Sequence, residues 1–319
     1  MEDMLLSNTA HQSAPLKVGV IGLGMYGGTM ARRLVGAGCE VAGIDPTPTA
    51  RQAAARDGVR IVDSPKSLDD CQFVVLSLPT SKEVSQVCLG EGGLASASHS
   101  NMLVIDTTSG LPVESRSIAE GLEAHGISYI DAGVSGTGGA AAVESGTLTM
   151  LVGGTSEAVE KAEPVLALLG STTIHMGPVG AGHATKTLNN MLSSTAMLAT
   201  AEAVTIGIKA GLDPDKLVAA IQASQGRNFW TEHRFPNFIL RGDFTSKSGG
   251  PIGGTTQRVG QAVEMGREFG VPTPIASAAH QLMSVMSAEL GYRAPTTHSV
   301  LKYWEWSHVV RDVKVDSDE

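Results

Sequence analysis

The sequence predicts an α/β protein in which a doubly wound parallel sheet is followed by an all-α domain, joined to it by a long helix. Short apolar runs alternate with helix-like stretches from Leu16 to about Gly177, as in a parallel sheet covered by helices. A run of about 25 residues after Gly182 then lacks proline. Because 319 residues exceed one ordinary core, we expect domains at 15–178 and 179–319 after a disordered tail at 1–14.

The predicted elements follow one another in that order along the chain. Apolar runs bounded by turn residues predict strands at 17–23, 40–45, 73–79, 102–108, 127–133 and 147–154. Helix-like stretches between them predict helices at 27–38, 81–89, 112–126 and 155–170. The second half is predicted to consist of a long helix at 183–213 and helices at 213–224, 256–270 and 274–290. A glycine-rich loop is expected at 241–256.

Composition and charge argue against several classes of protein. The formal net charge is −9 without any basic block, which disfavours binding to nucleic acid or to an anionic membrane surface. Cys39, Cys71 and Cys88 are widely spaced, so we expect free thiols in a reducing compartment. The first residues lack the apolar core of a secretory signal, and no uninterrupted apolar stretch reaches the roughly 20 residues of a membrane span. A cytoplasmic protein without membrane or nucleic-acid partners is therefore predicted.

The segment that joins the first strand to the first helix carries a G-x-G-x-x-G pattern. In such a pattern the first glycine forms the turn, the second lets the backbone approach a pyrophosphate, and the third allows close packing of helix and strand. The N-terminus of the following helix offers free N–H groups and a partial positive charge. A plain glycine-rich turn is the alternative, but the flanking strand and helix favour a Rossmann-type dinucleotide site. The residues expected to hold the cofactor are Gly22, Leu23, Gly24, Met25, Tyr26 and Gly27.

The end of the second predicted strand bears on the choice of dinucleotide. Asp45 lies about twenty residues after the glycine pattern, where a carboxylate accepts hydrogen bonds from the ribose hydroxyls and repels a 2′-phosphate. No arginine follows immediately, although Arg51 is near. A solvated turn or capping aspartate is the alternative interpretation. NAD is therefore the expected cofactor, and NADP is less favoured.

Three further segments, taken together with the glycine pattern, resemble one family. They are DTTS at 106–109, DAGVSGTGG with GTLTMLVGG within 131–154, and GPVGAGHATKTLNNML at 177–192. In this order the four motifs resemble the β-hydroxyacid dehydrogenases, the group that includes 3-hydroxyisobutyrate dehydrogenase and tartronate semialdehyde reductase, over roughly residues 17–291. The resemblance implies an oxidoreductase that transfers hydride between NAD and a small 3-hydroxy acid or its semialdehyde.

Lys186 and Asn190 are the candidate catalytic residues. They are spaced i, i+4, so they stand one turn apart on the same face of a helix. A lysine whose pKa is moved toward neutrality by burial can exchange a proton with a substrate oxygen. The spacing by itself also fits a surface lysine with a helix-capping asparagine. The resemblance implies that Lys186 is the general acid/base and that Asn190 positions the substrate.

The remaining candidate residues come from loops at the ends of strands. Ser135, Gly136 and Thr137 lie in a loop of small residues, whose backbone N–H groups can bind a carboxylate. A plain flexible loop is the alternative, and the resemblance implies that the first two positions hold the carboxylate of the substrate. A small carboxylate is thus the expected partner. The resemblance also implies cofactor contacts from Leu78, Pro79 and Thr108.

Several positions depart from the pattern of the family. Gly133 stands where the family has proline, Thr137 stands where it has glycine, and the loop at 137–146 is about two residues longer. The Lys-Asp pair of the family, counted back from the GVP at 270–272, falls on Gln257 and Arg258. This change indicates a different substrate, or replacement of that lysine by Lys247 or Arg258.

Two other functions are compatible with the predicted architecture. An imine reductase-type enzyme shares this architecture but usually lacks a lysine at the position of Lys186, and a regulator that binds NAD without turnover is a further alternative.

His175 and His183 lack a third ligand at a metal-like spacing, so no metal site is expected. A long apolar helix and the aromatic segment YWEW at 303–306 are hard to bury within one helical half, which predicts a homodimer or homotetramer.

Overall fold

The computed structural model describes residues 14–96, 101–136, 139–245 and 248–311. Apart from Ala14, the predicted tail lies outside the described residues. The strands are β1 Lys17–Ile21, β2 Glu40–Ile44, β3 Arg60–Ile61, β4 Phe73–Leu76, β5 Leu103–Asp106, β6 Ser128–Ser135, β7 Leu148–Gly153 and β8 Gly170–Gly177. The α-helices are α1 Met25–Gly36, α2 Pro48–Arg56, α3 Ser81–Leu89, α4 Pro112–Glu123, α5 Ala140–Glu144, α6 Ser156–Leu169, α7 Ala181–Lys209, α8 Pro214–Gln222, α9 Phe235–Asn237, α10 Ile252–Glu268, α11 Pro274–Leu290 and α12 His298–Trp306.

The predicted fold class is confirmed, with one difference in the sheet. The strands form one sheet in the order β3-β2-β1-β4-β5-β6-β7-β8, and all neighbouring pairs are parallel except β6 with β7. The connection from β6 to β7 is at the lower length limit for a parallel crossover, and its described helix, the five-residue α5, is too short to run back along the eight-residue β6. The chain therefore returns in the antiparallel direction.

Strands β3 and β8 and helix α2 were not predicted from the sequence. Strand β3 has two residues, too few for a recognisable pattern. Strand β8 is an edge strand, and most of its residues are exposed or only partly buried, so it lacks the apolar alternation that marks a half-buried strand. Buried strands with continuous apolar sequence, such as β4 and β5, were predicted without difficulty.

Helix α7 connects the two halves of the molecule. It begins four residues after the end of β8 at Gly177, packs against β6 and β7, and continues into the helical half, where α10, α11 and α12 contact it. Its buried residues Met197, Ala201 and Val204 belong to the core of that half. By length and composition α7 is able to cross a membrane, but 44% of its most apolar 18-residue window is buried in the protein, and core helices pass the same test.

The C-terminal aromatic segment is only partly buried. Trp304 of α12 is 3% exposed and lies edge-to-face against Phe244, with 5.7 Å between the ring centroids. Trp306 is 44% exposed. One of these aromatic side chains therefore serves the helical core, while the other remains on the surface.

Candidate active site

The loop between β1 and α1 uses each of its three glycines differently. Gly22 has a φ of +91°, and a Cβ there would collide with the carbonyl oxygen of Ser77. A Cβ at Gly27 would collide with the carbonyl oxygen of Gly22. A Cβ at Gly24 would meet no atom within 4 Å, so this glycine faces open space. Gly24 is also the N-cap of α1 and has no side-chain cap, which leaves helix N–H groups available to a phosphate.

Asp45 lies beside this loop and is held by its backbone. The half-buried carboxylate accepts one hydrogen bond of 2.7 Å from the N–H of Leu23 and another of 2.7 Å from the N–H of Thr47. Each carboxylate oxygen keeps a further lone pair for a ribose hydroxyl. Arg51, the arginine nearest in sequence, pairs with Asp63 at 2.9 Å. Asp45 therefore stands where the sequence predicts the adenosine ribose.

The loops after β4 and β5 are tied to one another at the edge of the sheet. The hydroxyl oxygen of Thr108 accepts a hydrogen bond from the N–H of Leu78 at 3.2 Å. The N–H of Thr108 donates to a carboxylate oxygen of Asp106 at 2.9 Å. Thr107 donates from its hydroxyl to the carbonyl oxygen of Leu76 at 2.6 Å. These bonds fix the two loops from which Leu78, Pro79 and Thr108 were predicted to contact the cofactor.

A cleft of about 440 Å³ separates these loops from the helical half. Its sheet side includes Tyr26, Leu78, Pro79, Thr108, Val134 and Gly136. Its helical side includes Lys186, Asn190, Gln257, Arg258, Gln261 and Tyr292. The structure thus brings the predicted catalytic pair into one cavity with five of the predicted cofactor and substrate residues: Tyr26, Leu78, Pro79, Thr108 and Gly136. The other predicted cofactor residues, Gly22, Leu23, Gly24, Met25, Gly27 and Asp45, lie outside this lining, in the glycine loop and at the end of β2.

Lys186 and Asn190 lie on the first turns of α7. Both side chains are half-buried, and neither hydrogen-bonds another residue that the structure describes. Burial, together with the nearby positive charge of Arg258, lowers the pKa of Lys186 to about 8. A lysine in this range exchanges protons readily near neutral pH.

Gly133 explains how α7 comes so close to the sheet. A Cβ at this position would stand 2.7 Å from the Cβ of Lys186 and 3.1 Å from the carbonyl oxygen of Gly182. A proline, which carries a Cβ, would therefore push α7 and its lysine away from β6. The departure from the family at Gly133 is thus coupled to the placement of Lys186.

A buried carboxylate that was not predicted holds the N-terminus of α7. Asp131 is fully buried and accepts hydrogen bonds from the N–H of Gly180 at 2.6 Å and of His183 at 2.7 Å. Burial raises the pKa of Asp131, while the His183 charge and these backbone bonds oppose the rise. The ring of His183 in turn bonds Ser115 at 2.8 Å and the carbonyl oxygen of Asp106 at 3.2 Å. His183 therefore has a packing and hydrogen-bonding role, one turn before Lys186.

Of the loop predicted to bind the substrate carboxylate, only some residues line the cleft. Gly136 lines it, as do its neighbours Val134 and Gly139. Ser135 is the last residue of β6, pairs with Thr149, and is not among the lining residues. Thr137 lies outside the described residues. The longer loop of this chain contains α5, which packs against α1.

Helix α10 carries the two residues that stand in place of the Lys-Asp pair of the family. Gln257 and Arg258 both line the cleft, and the guanidinium of Arg258 donates a hydrogen bond to the Thr255 hydroxyl at 3.1 Å. Burial lowers the pKa of Arg258, and Tyr26 and Tyr292 act electrostatically in the opposite direction. Lys247, the other candidate, lies outside the described residues.

Tyr292 and Gln261 are lining residues that sequence reasoning missed. The ring of Tyr292 packs on Gly253, where a Cβ would collide with it. Gln261 donates from its amide to the carbonyl oxygen of Ser109 across the cleft at 3.3 Å. The adjacent glycines at 253 and 254 were the available signal for a close approach. Within the described ranges, no group of three or more His, Cys, Asp or Glu side chains is arranged to hold a metal ion.

Comparison with known proteins agrees with this arrangement. The family model described as the NAD binding domain of 6-phosphogluconate dehydrogenase matches residues 17–177. A second model, described as NAD-binding of NADP-dependent 3-hydroxyisobutyrate dehydrogenase, matches residues 180–304. The chain therefore carries an NAD(P)-binding domain.

Individual relatives extend over nearly the whole chain. The 2-(hydroxymethyl)glutarate dehydrogenase of Eubacterium barkeri is 33% identical over 91% of this chain and 95% of its own length. The L-threonate dehydrogenase of Cupriavidus necator is 33% identical over 89% of this chain and 95% of its own length. The structure of Mycobacterium tuberculosis 3-hydroxyisobutyrate dehydrogenase with L-serine matches with a TM-score of 0.83 and 30% identity, over 91% of this chain and 99% of that one. With this coverage in both sequence and structure, the protein is a member of the β-hydroxyacid dehydrogenase family, a dehydrogenase built on an NAD(P)-binding domain.

Proposed function

We propose that the protein transfers hydride between NAD and the β-carbon of a small 3-hydroxy acid or its semialdehyde, with Lys186 as general acid/base. The observation that carries this proposal is the placement of Lys186 and Asn190 in the cleft that the dinucleotide-binding half shares with α7, where burial and Arg258 lower the pKa of Lys186 to about 8. An ordinary surface lysine would stay charged and solvated at neutral pH. The relatives named for 3-hydroxyisobutyrate and 2-(hydroxymethyl)glutarate support a 3-hydroxy acid as the substrate class.

The two side chains of α7 have different roles: Lys186 transfers the proton and Asn190 orients the substrate. In the oxidative direction the neutral amine of Lys186 accepts the proton of the substrate hydroxyl, and in the reductive direction its ammonium form returns that proton. The amide of Asn190, one turn further along α7, hydrogen-bonds the same substrate oxygen and orients it. Backbone groups around Gly136 receive the substrate carboxylate. When bound, the dinucleotide accepts or supplies the hydride.

Asp45 supports NAD rather than NADP as the cofactor. Its carboxylate is fixed beside the glycine loop by two backbone hydrogen bonds, so it cannot swing aside for a 2′-phosphate without breaking them. Arg51 is engaged by Asp63 and is not turned toward Asp45 in this structure. Both features favour a cofactor with free ribose hydroxyls.

A turnover screen tests the proposal. The purified protein is assayed with NAD and with NADP against 3-hydroxyisobutyrate, glycerate, 4-hydroxybutyrate, threonate, serine and 2-(hydroxymethyl)glutarate, and against a cyclic imine in the reductive direction. We expect turnover of at least one 3-hydroxy acid, with oxidative kcat/KM rising with pH through about 8, since the neutral amine is the active form. Reduction of a semialdehyde should show the opposite trend. Turnover of cyclic imines alone would indicate an imine reductase, and an absence of any turnover would indicate a nucleotide-binding regulator; either result would overturn the proposal.

We also propose that the protein forms a homodimer or homotetramer through α7. Leu188, Leu192 and Ile206 are 42%, 63% and 64% exposed on this helix, and the spacings of four and fourteen residues place them along one face. An apolar stripe of this length is costly to leave in water. Light scattering at micromolar concentration should give a multiple of 33.0 kDa, and Leu192→Asp should shift it toward one chain. A monomer in the unsubstituted protein would contradict this proposal.

A further inference from the structure

Arg258 lines the cleft and pairs with no carboxylate among the residues that the structure describes. Its guanidinium is half-buried and hydrogen-bonds only the neutral hydroxyl of Thr255 among the described residues. No aspartate or glutamate is among the described residues that line the cleft. The undescribed residues that lie nearest in sequence to the lining residues are 137–138 and 246–247, and they include no aspartate or glutamate. Two cations, Lys186 and Arg258, therefore share one cavity whose described lining contains no acidic side chain.

An arrangement of this kind indicates a ligand that brings its own negative charges. A guanidinium withdrawn from water loses hydration that a hydroxyl replaces only in part. It carries five N–H donors in a planar fork that fits a carboxylate in a bidentate manner. Thr255 accepts from one of these donors, and the guanidinium makes no other hydrogen bond to a residue that the structure describes. A carboxylate in the cleft would satisfy the fork and the charge together.

Arg258 and the loop around Gly136 lie on different walls of the cleft. The charge of Arg258 lowers the pKa of Lys186, and Tyr26 and Tyr292 oppose the lowering of the pKa of Arg258 itself. The carboxylate next to the reacting carbon is assigned by the proposed function to the backbone near Gly136, on the sheet side of the cleft. The guanidinium stands on α10, on the opposite side, where the far end of the same substrate would lie.

We propose that Arg258 binds a second carboxylate, at the end of the substrate remote from the reacting carbon, and that the preferred substrates are 3-hydroxy acids with an acidic side chain. This inference rests on the proposed function and specifies its substrate class. It makes Arg258 a specificity-determining residue. The change from the Lys-Asp pair of the family to Gln257 and Arg258 then exchanges a lysine for a bidentate anchor.

A pair of substrates that differ only in the remote charge tests the inference. The substrates are 2-(hydroxymethyl)glutarate, a diacid, and 2-(hydroxymethyl)pentanoate, a monoacid with a methyl group in place of the remote carboxylate (the neutral analogue, since its remote end carries no charge). Both are assayed with NAD at the pH plateau of each enzyme variant. The plateau is needed because loss of the Arg258 charge also raises the pKa of Lys186. We expect the unsubstituted protein to prefer the diacid. Arg258→Gln should lower kcat/KM for the diacid about 10–100-fold, the size of a lost charge-assisted pair, and change it less than about threefold for the neutral analogue.

Controls separate this role from a structural one. Arg258→Lys keeps the charge but not the fork, so it should recover only part of the diacid preference. Arg267→Gln removes an exposed arginine from the last turn of the same helix and should leave the preference unchanged. Equal losses on the diacid and the neutral analogue would overturn the inference, because Arg258 would then act on the reacting end or on Lys186 alone.

A binding measurement keeps the inference independent of turnover. Glutarate and butyrate, neither of which can be oxidised at a hydroxyl group, are titrated by calorimetry into the protein with saturating NAD. Glutarate should bind the unsubstituted protein about tenfold or more tightly than the Arg258→Gln variant, while butyrate should not distinguish them. If no hydroxy acid is turned over but this difference is found, the proposed function fails and the carboxylate site stands. If glutarate binds both proteins equally, the carboxylate site fails whatever the turnover.

Discussion

The sheet side and the helical side of the cleft differ in how far their polar groups are hydrogen-bonded within the protein. On the sheet side, the N–H of Leu78 bonds the hydroxyl of Thr108, which ties the two lining loops together, and in the neighbouring glycine loop the N–H of Leu23 bonds the carboxylate of Asp45. On the helical side, the side chains of Lys186 and Asn190 have no hydrogen-bond partner among the described residues, and Arg258 has a single neutral one. The first wall is preorganised for a cofactor whose shape is constant. The second wall keeps its chemistry available for a substrate.

This division places an energetic demand on the N-terminus of α7. Desolvating two cations in one cavity is unfavourable, so the helix that carries Lys186 must be held in place by other interactions. Asp131 supplies two short hydrogen bonds to the N–H groups of Gly180 and His183, and its negative charge favours the helix N-terminus. The sheet side of the cleft, through Asp131, therefore holds the helix that carries Lys186; the helical side with Lys186 and Arg258 is the reactive wall.

The largest expected effect comes from removing the proton-transferring group of the helical wall. Lys186→Ala should lower kcat by roughly 10²–10⁴-fold, the span usual for a general acid–base group. Asn190→Ala should cost less, because the amide orients the substrate without transferring a proton. Steady-state turnover with the best substrate measures both, and fluorescence titration should show nearly unchanged NAD affinity. Near-normal turnover of the Lys186 variant would show that the reactive wall has been misassigned.

Two glycine substitutions break the sheet wall in different ways. Gly22→Ala forces a side chain into positive φ and against the carbonyl of Ser77, so it should lower both the midpoint of thermal unfolding and NAD affinity, the latter about tenfold or more. Gly24→Ala meets no protein atom. It should therefore leave the unfolding midpoint within a degree or two (roughly ±0.5 kcal/mol) and weaken NAD alone. An equal fall in stability for both variants would argue against a separate phosphate-facing role for Gly24.

A smaller effect is expected from Asp45, because it acts on cofactor choice rather than on turnover. Asp45→Ala removes the repulsion toward a 2′-phosphate together with the hydrogen bonds to Leu23 and Thr47. We expect the preference for NAD over NADP to narrow by roughly tenfold, which corresponds to about 1.4 kcal/mol. Parallel titrations with both dinucleotides give the ratio. If the unsubstituted protein binds them equally, the assignment of NAD is wrong.

The contrast between the walls also explains what the sequence could predict. The glycine loop and Asp45 are local patterns, since strand, turn and helix N-terminus follow one another within about thirty residues. Helix periodicity places Lys186 and Asn190 on one face, but only the family motif around them distinguished a catalytic pair from a surface lysine and a capping asparagine. The bonds from Asp131 to α7 span 49 and 52 residues, and no local pattern announces them.

Side-chain direction set a further limit on prediction. The sequence left open whether Lys247 or Arg258 takes the place of the missing lysine, and only packing places Arg258 in the cleft. Ser135 was expected to hold the substrate carboxylate, yet pairing with Thr149 in the sheet leaves it outside the lining. The antiparallel turn from β6 to β7 reflects the length of a connection, which a strand pattern does not contain.

An effect of similar size, on stability rather than on binding, is expected from the energetic cost of burying Lys186. Because burial and Arg258 lower the pKa of Lys186 from 10.5 to about 8, the folded state binds this proton less tightly than the unfolded chain does. The charged lysine therefore destabilises the fold fully below pH 8, and the penalty fades as pH rises toward 10.5. Lys186→Met keeps the length of the side chain without the charge. At pH 7 it should raise the free energy of unfolding by about 1–2 kcal/mol, reduced from the full linkage value because the side chain is only half-buried.

The pH dependence distinguishes this effect from better packing by methionine. The gain should shrink steadily between pH 8 and 10.5, where the unfolded lysine also loses its proton. Urea unfolding at pH 7 and pH 10 measures the difference, and Lys209→Met, at the exposed end of α7, serves as the matched control with no gain at either pH. A gain of equal size at both pH values would mean that Lys186 carries no desolvation penalty. In that case the helical wall would be no more reactive than the sheet wall, and the poised state of its lysine would have to come from the substrate.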